Sequence, residues 1–271
     1  GKNVWTVLLP AQPPHFFTYP GGMLWMAVFI YEASQTSGFS FLHVAQLLGL
    51  TFDLLVSLMV YLILRKEPYY CRLLGVTLVI FNPFMYRNSL FKAKPDDAIM
   101  LFLILLAFDL LERGRSTLSG VVFGTSVGFK QFAVLLLPYF AVKQEVRRKN
   151  LISILAGFLL ASLPGLADPW AYLRTSYLGH AYRQSVNFEW GTFAGCWDVF
   201  PWCVPVSLAI FSVAMLFIYI KFSRVDPYTF AFMIAFAFIA FYWAAWEQYF
   251  TWFVPFLVVS VMRSLPRLRP T

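Results

Sequence analysis

The chain has 271 residues, of which 60% are hydrophobic, 20% aromatic and only 13% charged, with a formal net charge of +8. Soluble domains carry roughly twice that charged fraction, so an ordinary water-soluble globule is excluded and a polytopic membrane protein is expected. The positive balance is then read as a sidedness signal, and nucleic-acid binding is excluded because no segment interleaves a solvated basic face with aromatics.

In chain order, residues 23–31 are apolar but too short to span a bilayer. They are expected to form an interfacial helix on the outer surface. Apolar runs follow at 41–64, 72–86, 96–111, 118–142, 150–166, 202–222, 227–245 and 248–262. Their lengths suit an all-α, polytopic transmembrane bundle of about 8–9 spans. No repeat or low-complexity tract divides the chain, so 1–271 reads as a single membrane-embedded domain.

Five basic clusters punctuate these runs: "LRKEPYYCR" (64–72), "RGR" (113–115), "KQEVRRK" (143–149), "KFSR" (221–224) and "RSLPRLR" (263–269). If 118–142 crossed once, the second and third clusters would fall on opposite sides. Two short helices turning near Lys130 keep all five inside. Each arm then has about twelve residues, or about 18 Å of helix, well short of a hydrocarbon core of about 30 Å. The turn would sit partway down, lining a water-filled cavity or buried in protein. The alternative is one kinked helix whose Lys130 snorkels or pairs with an acid. On the hairpin reading Lys130→Met is expected to preserve insertion, because an apolar chain of similar length relieves the burial cost.

The same topology gathers polar residues on the outer face. "KAKPDD" places Asp96 and Asp97 at the start of a helix, beside Lys92 and Lys94. The acids suit helix capping, which leaves the two lysines unexplained. Lys130 and Gln131 lie at the turn. "GHAYRQSVNFEW" carries His180, Arg183 and Glu189, the first two spaced to share a helix face; an amphipathic loop helix would look the same. "WEQY" brings Glu247 and Gln248 to a helix entrance among aromatics that also suit an interfacial belt. Ionisable residues at such positions are functional candidates. Cations can hold the phosphate of a lipid carrier, a carboxylate can take a proton from a hydroxyl, and aromatics can stack on sugar faces. The three cysteines show no metal-type spacing, so no metal and no cofactor is expected. Cys196 and Cys203 could pair if their loop faces an oxidising compartment, or remain ordinary thiols.

These motifs resemble those of a known group. "TYPGGMLWMAVFIYEA" (18–33) resembles the segment after the first outer loop of GT-C glycosyltransferases. The stretch 92–140 resembles their middle section, with an Asp opening a helix, then a basic turn, then a run of "Gly…Gly…Lys-Gln…Leu-Pro" type. "GHAYRQSVNFE" and "EQYFTWFVPFL" are similar to the outer loop and penultimate helix entrance of polyprenyl-phosphate-mannose-dependent mannosyltransferases. The resemblance implies transfer of a sugar, mannose among the candidates, from a polyprenyl-phosphate donor to a lipid, glycan or protein acceptor at the outer or lumenal face. Membrane lipids are the surrounding partner. It implies a multi-pass protein, placed in a prokaryotic plasma membrane ahead of the endoplasmic reticulum. It also implies an acidic base in a first outer loop. No Asp or Glu precedes Glu32, so the chain is expected to be truncated before that loop and the catalytic base is unassigned. The residues expected to bind substrate are Asp96, Asp97, Lys130, Gln131, His180, Arg183, Glu189, Glu247 and Gln248. A transporter or a non-catalytic membrane subunit is the alternative; a transporter favours internal repeats and paired broken helices.

Overall fold

The computed structural model describes residues 21–142, 148–167, 170, 203–222, 225–241 and 249–265, and their regular structure is helical throughout. Helix α1 (Gly21–Ser37) begins with two glycines because it lands on other backbones. A Cβ on Gly21 would lie 2.8 Å from Ser162 Cα, and one on Gly22 would lie 2.8 Å from the Gly128 carbonyl oxygen. Met26 and Ile30 face inward onto Val44, Ala45 and Ile99, while Trp25, Val28, Phe29 and Tyr31 stay exposed. An outer surface that apolar suits a helix lying against lipid.

Ser40 caps α2 (Phe41–Ile63) by accepting from the His43 N–H. A 3-10 turn at Leu64–Lys66 extends it. Helix α3 (Tyr69–Ile80) follows. The run expected as one span over 72–86 is interrupted: Asn82 accepts from the Phe84 N–H and Pro83 starts a new short helix, α4 (Pro83–Tyr86), which passes into a π-type turn at Arg87–Phe91. Then come α5 (Pro95–Glu112), α6 (Ser116–Phe129), a 3-10 turn at Gln131–Leu136, α7 (Leu137–Val142), α8 (Arg148–Ser162), α9 (Cys203–Phe222), α10 (Pro227–Phe241) and α11 (Phe250–Ser264).

The chain reverses at Lys130, whose backbone is extended (φ −153, ψ 132). The rings of Phe123 and Phe140 lie 4.1 Å apart; a continuous helix would hold them about 25 Å apart. Irregular backbone in an apolar setting needs hydrogen-bond partners. Tyr219 donates to the Leu135 carbonyl at 2.8 Å, and Tyr139 donates to the Val225 carbonyl at 3.1 Å. Phe108 anchors the aromatic core beneath, with Tyr139, Phe140 and Tyr228 rings 5.9, 5.7 and 5.6 Å away.

Helices α6 and α8 run parallel at very close range. Gly120, Gly124 and Gly128 form a stripe that meets Ser153, Ile154 and Ala161, while Gly157 of α8 meets Val121. A Cβ on Gly124 would lie 1.9 Å from the Ile154 carbonyl oxygen, and one on Gly157 would lie 2.0 Å from that of Val121. Small residues at four-residue intervals permit this approach, as between membrane helices.

At the opposite end from Lys130, basic residues converge. Arg65 and Arg113 both pair with Asp109 at 2.7 Å. Arg263 donates to both Glu112 oxygens, at 2.7 and 2.9 Å. The first turn of α8 reaches the same end, since Gly120 abuts the Asn150 carbonyl. The segments 64–72, 113–115 and 148–149 and the residue Arg263 are thus co-located. Among the described residues, 41–66 and 205–222 are long and apolar enough to cross a membrane, and several other apolar helices are shorter. Leu151, Ile152, Leu155, Val213, Leu216 and Phe217 are all exposed, an apolar surface of the kind that marks contact with lipid or protein.

Candidate functional site

Helix α5 opens with Pro95, which needs no N–H partner at its first position, followed by Asp96 and Asp97. The helix dipole favours negative charge there. Yet both carboxylates are buried, at 1% exposure each, so capping alone does not account for them.

Their partner comes from the break in the hairpin. Lys130 Nζ donates to Asp96 Oδ2 at 2.9 Å and to Asp97 Oδ1. Asp97 is the more completely held. Trp252 Nε1 donates to its Oδ1 at 2.6 Å, and Asn88 Nδ2 lies 3.5 Å from its Oδ2 while donating to Thr251 Oγ1 at 2.9 Å. The Lys130 ammonium also lies 5.0 Å from the Trp252 ring centre and 5.9 Å from that of Tyr249, within cation–π range. Asp96 Oδ1, by contrast, is buried without a hydrogen-bond donor. Three elements distant in sequence therefore meet: the start of α5, the hairpin turn and the start of α11.

A third acid stands nearby. Asp53 of α2 is 7% exposed. Neither of its oxygens has a hydrogen bond of good geometry; the Ser89 hydroxyl faces it and Asp97 lies within electrostatic reach. Just before α5, Ala93 adopts a left-handed φ of 46, a conformation that costs a non-glycine residue about 1–2 kcal/mol. It turns the chain so that the Lys94 N–H donates to the Asn88 carbonyl at 3.0 Å. Burial lowers the Lys94 ammonium from its ordinary value and the Lys130 charge adds to this, while Asp96 and Asp97 act against it.

The structure thus brings together Asp96, Asp97 and Lys130, with Gln131 half-buried next in the chain. Of the outer-face acids Asp96, Asp97 and Glu247, the natural partners for a lysine at the turn, Asp96 and Asp97 pair with Lys130. His180, Arg183, Glu189, Glu247 and Gln248, with Cys196 of the possible disulfide, lie outside the described residues. Sequence reasoning missed Asn88, Thr251, Trp252 and Asp53. Asp53 had a signal, being a lone acid inside an apolar run. Trp252 follows the "WEQY" aromatics that suit an interfacial belt and by pattern alone belongs with them. Instead its ring is buried against Phe132, 4.2 Å away, and Tyr249, 4.1 Å away, and is committed to packing. Among the described residues no group of three or more His, Cys, Asp or Glu is arranged to hold a metal ion.

Among known proteins, the chain is similar to GPI mannosyltransferase 1 of Candida albicans (strain SC5314 / ATCC MYA-2876). The two are 22% identical over 250 residues, which covers 79% of this chain and 62% of the relative. The chain therefore spans about three fifths of the length of the curated relative it matches. This is distant homology to a mannosyltransferase, in agreement with the resemblance carried by the motifs. No family model matches the chain, and no solved structure matches it.

Proposed function

We propose that this protein is a multi-pass membrane glycosyltransferase that moves a sugar from a polyprenyl-phosphate-linked donor to a lipid, glycan or protein acceptor at the outer or lumenal face. The name of the relative favours mannose as the sugar and GPI as the acceptor class. The observation that carries the reading is the buried Asp96–Lys130–Asp97 cluster, in a chain distantly homologous to a mannosyltransferase. It lies about 18 Å of helix away from the Asp109 pairs, at the end of α5 remote from the gathered arginines. Positive residues mark the cytoplasmic side, so the cluster takes the outer side, within a bundle of about 8–9 spans whose sixth helix and its return form the hairpin.

On this reading Asp96, Asp97, Lys130 and Gln131 form the inner part of the substrate site. His180, Arg183, Glu189, Glu247 and Gln248 supply its entrance. The apolar helices hold the polyprenyl chain. The catalytic base is unassigned.

The test is turnover by the full-length protein in lipid nanodiscs, with polyprenyl-phosphate mannose labelled in the sugar and a membrane lipid extract as acceptor. The expected result is release of polyprenyl phosphate together with label in the acceptor fraction. Neither product forming, with the donor recovered intact, would overturn the reading. Movement of intact donor between leaflets of proteoliposomes would replace it with a transporter.

A further inference from the structure

The two aspartates that share Lys130 are chemically unlike. Asp97 is fully engaged: Lys130 and Trp252 reach its Oδ1, and Asn88 lies beside its Oδ2. Asp96 spends one oxygen on Lys130, and its Oδ1 is buried with no donor. An unmet buried acceptor costs stability, and one that persists beside a polar cluster calls for an explanation.

The charge balance narrows what could fill it. One ammonium faces Asp96 and Asp97, and Asp53 adds a third buried carboxylate with unfilled oxygens. The ammonium has three protons. Two point to the aspartates and the remaining face lies over Trp252 and Tyr249. A phosphate would meet three buried carboxylates here; Lys130 is committed to two of them, and Lys94, within electrostatic reach of the same two, is disfavoured as a cation by its own burial and by Lys130. A hydroxyl, which donates, fits the open oxygen.

We infer that Asp96 is the carboxylate that meets substrate, accepting a hydrogen bond at Oδ1 from a sugar or acceptor hydroxyl, whereas Asp97 is a positioning residue that holds Lys130 and Trp252. Lys130 then orients Asp96 and does not bind the carrier phosphate. Asp96 is 1% exposed, so the hydroxyl arrives when one of the two adjoining turns shifts; the turn before α5 contains the strained Ala93. That the hydroxyl belongs to a lipid-linked sugar or its acceptor rests on the function proposed above. The open acceptor stands on the geometry alone.

The test compares Asp96→Asn and Asp97→Asn in the full-length protein. Asparagine at 96 keeps an oxygen for Lys130, removes the excess charge and places a donor where an acceptor is needed. Asp96→Asn should melt within about 2 °C of the parent, whereas Asp97→Asn should lose about 5 °C or more, on the scale of a lost buried contact. Binding of polyprenyl-phosphate mannose and of sugar-free polyprenyl phosphate is then measured. If the donor sugar supplies the hydroxyl, Asp96→Asn weakens the first about tenfold or more and leaves the second unchanged. If the acceptor supplies it, both affinities hold while transfer to the lipid extract falls at least about tenfold, a loss typical of an unmade contact to a charged group. Asp96→Asn melting as low as Asp97→Asn, or weakening the sugar-free lipid equally, or leaving binding and transfer both intact, would overturn the inference. A parent that binds neither lipid would overturn the proposed function instead, and the melting contrast would still decide whether Asp96 holds an open acceptor.

Discussion

Lys130 was legible as a residue in need of a partner, because an unpaired lysine inside a bilayer costs about 2.5–3.5 kcal/mol on insertion scales. The choice among acids was narrowed by side, and Asp96 and Asp97 are the ones that meet it. Illegible were the other groups around Asp97. Trp252 is 155 positions away from it, and Thr251 is 163 positions from Asn88; local pattern cannot join residues at such separations. The structure adds a separate consequence for folding to the expectation that Lys130→Met preserves insertion. An apolar side chain at 130 relieves a burial cost but also removes the ammonium that bridges two buried carboxylates. Lys130→Met should therefore destabilise the protein by about 3–5 kcal/mol, the usual cost of breaking a buried pair from one side. The triple variant Lys130→Met, Asp96→Asn, Asp97→Asn should recover most of that loss. Thermal melting in detergent checks this; a single variant as stable as the parent would show that the ion cluster contributes nothing to the fold.

At the scale of elements, the break at Lys130 was readable from charge placement, since only a reversal keeps "RGR" and "KQEVRRK" together. Most described helix ends agree with the expected runs to within a few residues; the exceptions are α1, which runs on past 31 to Ser37, and Asn82. There a capping side chain and a proline restart the helix inside a run that hydropathy alone joins. The glycine period in "GVVFGTSVG" (120–128) is visible in the sequence, but the surface it packs on is not. The structure supplies it in α8. Gly124→Leu should be severely destabilising, by about 3 kcal/mol or more, because its Cβ would lie 1.9 Å from the Ile154 carbonyl oxygen and neither backbone can yield. Gly114→Ala is the control: no atom lies within 4 Å of its Cβ, although its φ of 73 imposes backbone strain, so its loss should stay near 1–2 kcal/mol. Comparable melting losses in the two variants would refute the close parallel packing of α6 on α8.

For the whole molecule, composition alone indicated a membrane protein, and the structure adds a polarity along its length. One end gathers Arg65, Arg113 and Arg263 with Asp109 and Glu112; the other holds the Lys130 cluster. In a background lacking Cys71, Cys196 and Cys203, Arg115→Cys and Ser37→Cys should react with an impermeant maleimide from opposite faces of intact vesicles. Both positions are exposed, at the arginine-bearing end of α6 and at the end of α1. Reaction of both from one face would break the assignment of ends. What composition could not supply was the depth of the polar cluster, because that depends on where α11 delivers Trp252 and where the hairpin turns.

The sidedness of transfer joins these scales. The full-length protein is reconstituted in vesicles of known orientation, with labelled polyprenyl-phosphate mannose confined to one leaflet and the acceptor extract supplied on that side. Sugar transfer is predicted only when both are presented on the face of the Lys130 cluster, opposite Arg113 and Arg263. Transfer only from the arginine-bearing face, or from neither, would contradict the account.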